Sequence, residues 1–358
     1  MRRALVTLLL MALMAGFGFG INRFLAARRT SEVTAHSVNR PTQTVAIFTL
    51  PGTLYLAQQG DIFKLNGGRF TDLDLPSNGS WMQPAIVPGT NDIVAVLRSA
   101  AYSDLYLIDS RGQVLQQLSH NAVTKSIIQN NHWMFWPRMA SDGSTIYVSY
   151  DEPKTSASYR VDFAIWKGTL NGQLAGREQT VPFNYTGGDV SATPLPDGSI
   201  LYAKYQVSGI TVFSQLALQT RPLAQPVFLT DSASDCGQPA VSPDATQVAM
   251  ICAGGTGLQS TRLVVAGLQA HKLVSPRVLV DNCLCSAPTW APDGSGVVYY
   301  APADSTGHFQ LWWIEGAGSA TPKAARQVTL NLDFDALSPP AWSGPSASAE
   351  AAATATPG

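Results

Sequence analysis

The residues able to do chemistry fall into a few groups. The five histidines, at 36, 120, 132, 271 and 308, are dispersed along the chain. No Gly-x-Ser-x-Gly elbow, His-Glu-x-x-His pair or phosphate-binding loop is present. One segment is dense in aromatic character: His132, Trp133, Met134, Phe135 and Trp136, with Trp81 in a comparable place earlier in the chain. A set of acids, Asp189, Asp235, Asp281, Asp333 and Asp335, recurs just ahead of apolar segments. Rings exposed in a concavity suit a sugar or an apolar peptide side chain, because each offers a broad apolar face with a polar edge. Gathered carboxylates could instead hold a Ca²⁺ ion. A second set of acids, Asp142, Asp197, Asp244 and Asp293, follows proline or serine in turn-like sequences and reads as turn capping. Asn78 and Asn184 match the glycosylation triplet, which is too short to weigh much.

The four cysteines lie between positions 236 and 285. Cys236 and Cys252 flank a Pro-Asp turn almost symmetrically, which places them opposite one another on two antiparallel strands and favours a bond between them. Cys283 and Cys285 would then close a tight loop or stay free. A bond from Cys236 to Cys285 is the alternative, since both hold the same repeat position. Three connectivities exist for four cysteines. The Cys-x-Cys pair lacks a second pair or a histidine at ligand spacing, so no metal set is assigned. Disulfides fit an oxidising compartment.

These side chains must be positioned by strands. Residues 287–300 read as a strand, a Pro-Asp-Gly turn and a second strand rich in Val, Trp and Tyr. The unit recurs, and the position of Pro288 falls at 84, 137, 192, 239, 288 and 340. A period near 50 built of short strands indicates a propeller or solenoid. Third and fourth strands follow in most periods, for example at 104–109 and 114–118 or at 310–314 and 326–330. Residues 45–76 supply second, third and fourth strands without a first, and residues 340–344 supply a first strand without the rest. Joining the two closes a ring and removes an unpaired edge. The expected fold is all-β: a six-bladed propeller of four-stranded antiparallel blades over 45–344, closed by the C-terminal strand pairing with the N-terminal ones.

The Pro-x-Trp-Ser-Pro-Asp-Gly pattern, seen at 288–294, 239–244 and 340–343, resembles the repeats of TolB-like six-bladed propellers. That resemblance covers residues 45–345 and is specific for architecture. It implies a periplasmic or extracellular protein that makes contacts with other proteins. Such propellers also occur as scaffolds and as domains attached to hydrolases, and no hydrolase segment accompanies this one.

Charge is sparse, with Lys and Arg together 23, Asp and Glu 24, and a net charge of −1. No basic stripe of the kind nucleic acid needs is visible. Arg2 and Arg3 precede an apolar run from 4 to 21, so residues 1–27 read as a signal or an uncleaved anchor helix, with the anchor favoured. Residues 28–44 suit a linker, and 345–358, rich in Ala, Ser, Thr and Pro, a disordered tail. Membrane contact would run through the N-terminal helix.

Segments leading into the first strands should converge on one mouth of the channel. Trp81, His132, Trp133, Phe135 and Trp136 would then face Asp189, Asp235, Asp281, Asp333 and Asp335 across it. The functional expectation is a membrane-anchored or secreted module that binds a protein or glycan there. A lyase or glycan hydrolase at the same mouth is the alternative, with His132 beside two carboxylates as its requirement, and a purely structural or sensor ring with a plugged channel is a third.

Overall fold

The computed structural model describes residues 48–122, 128–155, 158–170, 176–254, 260–303 and 307–344. All of them belong to one unit, Gln43–Gly358. The expected anchor, linker and tail fall outside the described residues. Among those described, no helix is long and apolar enough to cross a membrane.

Six four-stranded antiparallel sheets make up the fold. Blade one joins Ala341–Ser343 to Thr53–Gln58, Asp61–Asn66 and Arg69–Asp72. Blade two runs Ser80–Ile86, Ile93–Arg98, Ser103–Ile108, Val114–Gln117. Blade three runs Met134–Met139, Thr145–Tyr150, Ala164–Thr169, Arg177–Glu178, and carries a small hairpin, Lys154–Thr155 with Ser158–Tyr159. Blade four is Asp189–Pro194, Ile200–Ser208, Thr211–Gln219, Val227–Phe228. Blade five is Gly237–Val241, Gln247–Ala253, Thr261–Gln269, Lys272–Cys283. Blade six is Ser286–Trp290, Gly296–Pro302, Phe309–Glu315, Arg326–Gln327. The first strands approach one another in succession around the circle, and that of blade six approaches that of blade one. The ring is closed as expected: Leu54 pairs with Trp342 and Tyr55 with Ala341.

Sequence explains why the second strands are continuously apolar. In a strand, successive side chains point to opposite faces. Here each face meets a neighbouring blade, so both must be apolar. Along Ile93–Arg98, Val94 and Val96 pack towards blade three, while Ile93, Ala95 and Leu97 pack towards blade one. Six apolar clusters fill the six gaps between blades. The largest, around Leu54, Tyr300, Trp313 and Trp342, seals blade one to blade six. The smallest, around Tyr147, Ile165 and Tyr202, lies between blades three and four.

One backbone feature repeats in blades two to six. Each first strand contains one extra residue relative to its partner, a β-bulge. Within each bulge one non-glycine residue has positive φ: Gln83 at 51°, Trp136 at 50°, Ser191 at 57°, Gln238 at 51° and Ala287 at 53°. Such conformations are uncommon outside glycine and persist where the surroundings enforce them. Blade one has Pro339 at the matching place, which carries no N–H to satisfy.

Both cysteine pairs are bonded. Cys236–Cys252 spans the first two strands of blade five, as their pairing register requires, and Cys283–Cys285 closes the loop into blade six. The link between Cys236 and Cys285 does not form.

Candidate functional site at the channel mouth

The bulges are the devices that shape the mouth. Four of the bulge residues, Trp136, Ser191, Gln238 and Ala287, line one cavity in the channel. The N–H groups of Gln83, Trp136 and Ala287 are served across blades. The Ser338 hydroxyl accepts from Gln83 N–H at 2.5 Å, and Gln83 Oε1 accepts from Trp136 N–H at 2.7 Å. Gln238 Oε1 likewise accepts from Ala287 N–H at 2.6 Å. Gln83 Nε2 also donates to the Leu337 carbonyl, which ties the 337–338 loop against blade two. A small cavity of about 60 Å³ remains on the side of blades three to six, lined by Trp136, Arg138, Ser191, Tyr205, Gln238 and Leu337, among others.

The aromatic cluster is partly borne into the mouth and partly buried. Trp133 stacks on Phe135 with centroids 6.0 Å apart and planes 13° from parallel, and the Arg98 guanidinium lies 5.9 Å from the Trp133 ring. Phe135 and Trp136 both meet Phe163 edge-on, at 5.7 and 5.8 Å. Of the four rings, only Trp136 reaches the channel cavity. Trp81 differs from its expected place. It is 2% exposed, sits in the seam between blades one and two, meets Tyr106 edge-on and donates from its indole N–H to the Pro76 carbonyl. A tryptophan at the second position of a first strand points between blades, so it is core.

The acids do not converge. Asp189 is 0% exposed and its carboxylate is held by Lys204 Nζ at 3.0 and 3.2 Å. Burial pushes the Asp189 carboxyl above its usual range, with Lys204 acting in the opposite direction. Asp235 accepts from the Ser214 N–H and hydroxyl at 2.6 and 2.9 Å. Asp333 accepts from Phe309 N–H at 3.1 Å, Asp335 from Leu337 N–H at 2.9 Å, and the exposed Asp281 from Asn282 N–H at 2.9 Å. Each carboxylate is spent on local backbone or an ion pair. Among the described residues no group of three or more His, Cys, Asp or Glu side chains gathers to hold a metal ion. A Ca²⁺ site built from these five acids does not fit that arrangement.

Among the described residues His132 has one carboxylate within hydrogen-bond reach, Asp151 at 3.3 Å. That carboxylate also accepts from Trp133 N–H at 2.9 Å and pairs with Lys154 at 2.5 Å. The histidine thus belongs to a structural network that orients the aromatic segment, and the two-carboxylate arrangement required of a catalytic base is not formed.

Sequence reading missed the polar residues that do face the channel. Arg138 and Tyr205 both line the cavity. Burial depresses the Arg138 guanidinium to about 10, which leaves it cationic at neutral pH, and burial, then the Asp235 charge, raises the Tyr205 hydroxyl. Aligning the repeats on the proline rather than on the turn exposes Arg138, because the residue after the proline position is otherwise Ala or Thr.

No protein-family profile matches the sequence, and no curated protein matches it. Solved structures do share its architecture. TolB from Acinetobacter baumannii superimposes with a TM-score of 0.58 at 15% identity, over 81% of this chain and 66% of that one. A protein assigned as TolB from Agrobacterium tumefaciens gives 0.53 at 12% identity, over 80% and 92%. The fold is TolB-like. A chain of Kuenenia stuttgartiensis hydrazine synthase superimposes with a TM-score of 0.56 at 12% identity, over 83% of this chain and 47% of that one. The chain thus spans just under two thirds of the Acinetobacter TolB. At these identities the likeness concerns the TolB-like architecture, and function must be argued from the site.

Proposed function

We propose that this chain is an extracytoplasmic interaction module that receives a protein or glycan partner at the channel mouth of blades three to six. The observation that carries this reading is the half-buried aromatic wall of Trp133, Phe135, Trp136 and Phe163 beside an open cavity. Rings of this kind give large contact area with little conformational entropy to lose. The two disulfides support exposure to an oxidising compartment. An N-terminal membrane anchor remains part of the reading on sequence grounds. The enzyme alternative lacks support at His132, whose one carboxylate partner is itself engaged.

Partner capture from an extracytoplasmic fraction, alongside a glycan array, tests the module. The Trp133→Ala and Phe135→Ala proteins should lose at least tenfold in retention of whatever the unmodified protein holds. Equal retention by both variants, with folding intact by circular dichroism, would remove the aromatic wall from the function.

A further inference from the structure

In the six first strands the residue after the proline position is Ala85, Arg138, Thr193, Ala240, Thr289 and Ala341. Five are small. Thr193 and Thr289 donate to the Pro239 and Pro340 carbonyls of the next blade, at 3.4 and 3.1 Å. Arg138 breaks the pattern: its long cation projects at the level where the other blades leave the channel open. It has no hydrogen-bond or ion-pair partner among the described residues, and no acidic side chain perturbs it. Across the same cavity stands Tyr205, whose hydroxyl also has no hydrogen-bond partner among the described residues.

We propose that Arg138 and Tyr205 form an anion site in the channel that takes a carboxylate carried on an apolar body, such as the carboxy-terminal residue of a polypeptide. The proposal rests on the reading of the mouth as a binding site and names the chemistry it selects. Arg138 is half-buried and has no counter-charge among the described residues, so an anionic ligand would find a partly desolvated cation to pair with. The planar guanidinium offers a fork of parallel N–H donors that matches a carboxylate's two oxygens. Tyr205, held neutral by its surroundings, can donate a further hydrogen bond. The remaining walls, Val190, Ala203, Ala287 and Leu337, are apolar and suit the body that bears the charge. A sugar acid would set its hydroxyls against those walls unpaired, and the Gln238 carbonyl oxygen is already engaged by Ala287 N–H. A phosphate dianion would meet a single cation. Asp235, the acid acting on Tyr205, is held by Ser214 and narrows the site to a singly charged ligand.

Calorimetric titration with N-acetyl-L-phenylalanine tests this, with its amide, glucuronate and inorganic phosphate as comparison probes. The acid should bind saturably at one site, and the amide at least tenfold more weakly. Arg138→Gln should abolish discrimination between acid and amide without lowering the melting temperature, since no native partner is lost. Tyr205→Phe should weaken the acid severalfold. Partner capture is read on the same preparations, the Arg138→Gln protein included, so a failed partner capture and a failed anion site are told apart. The proposal is overturned if the acid does not saturate, if acid and amide bind alike to the unmodified protein, if Arg138→Gln keeps the preference, or if glucuronate or phosphate binds more tightly than the acid.

Discussion

Asp142 stands for the smallest scale at which this fold is specified. Its carboxylate accepts from Ser144 N–H, Thr145 N–H and the Thr145 hydroxyl, at 2.9, 2.7 and 2.6 Å, and these bonds hold it down to about 2. Asp197 is likewise held to about 2 by the Ser199 hydroxyl and His271. A carboxyl with a folded pKa below its unfolded value contributes stability that is present above about pH 4 and lost as pH falls towards 2. Asp142→Ala should therefore lower stability by roughly 1 kcal/mol at pH 7, and by progressively less as acid approaches pH 2. Urea unfolding at several pH values measures both. The role of these turn aspartates was legible in the sequence because capping is local and depends on near neighbours. Asp189 was not legible in the same way. Its partner Lys204 lies on the next strand, and only the pairing of Asp189 with Lys204 across the sheet shows that the two charges are buried together.

At the scale of the element, the first strand with its bulge is the unit that matters. The strands themselves could be read from composition, because a blade covered on both faces needs uninterrupted apolar sequence. The bulge could not, since Gln83, Trp136, Ser191, Gln238 and Ala287 share no side-chain type that would announce a positive φ. For the same reason Trp81, one residue into its strand, was expected at the mouth and is found in the seam between blades. Gln83 is the clearest case of one element supporting another: it takes the Trp136 N–H and holds the Leu337 carbonyl. Replacing it with alanine leaves a partly buried N–H without its acceptor, at a cost of about 1–3 kcal/mol. Gln83→Ala should show that loss in chemical denaturation, and hydrogen exchange at Trp136 should accelerate. Unchanged exchange there would mean that the bulge is held by its strand pairing alone.

At the scale of the whole molecule, closure rests on a short strand. Ala341–Ser343 supplies a single edge, yet Trp342 packs edge-on to Trp313 at 5.6 Å and donates from its indole N–H to the Pro51 carbonyl at 2.8 Å. Trp342→Ala removes a buried ring from the largest seam and should cost about 3–5 kcal/mol. If it instead unfolds with unaltered midpoint and slope, blade one holds without its clasp. This arrangement was the most legible part of the chain, because three strands lacking a first and a first lacking its followers have one economical solution. The clasp also fixes where the chain arrives and leaves. Thr53 and Ser343 are paired at the end of blade one that is shared with the Asp-Gly turns, whereas the cavity lies where first strands begin. Entry into the second strand of blade one and exit from its first strand thus lie at the end of the ring opposite Arg138 and Trp136, and a ligand reaching the cavity need not pass either.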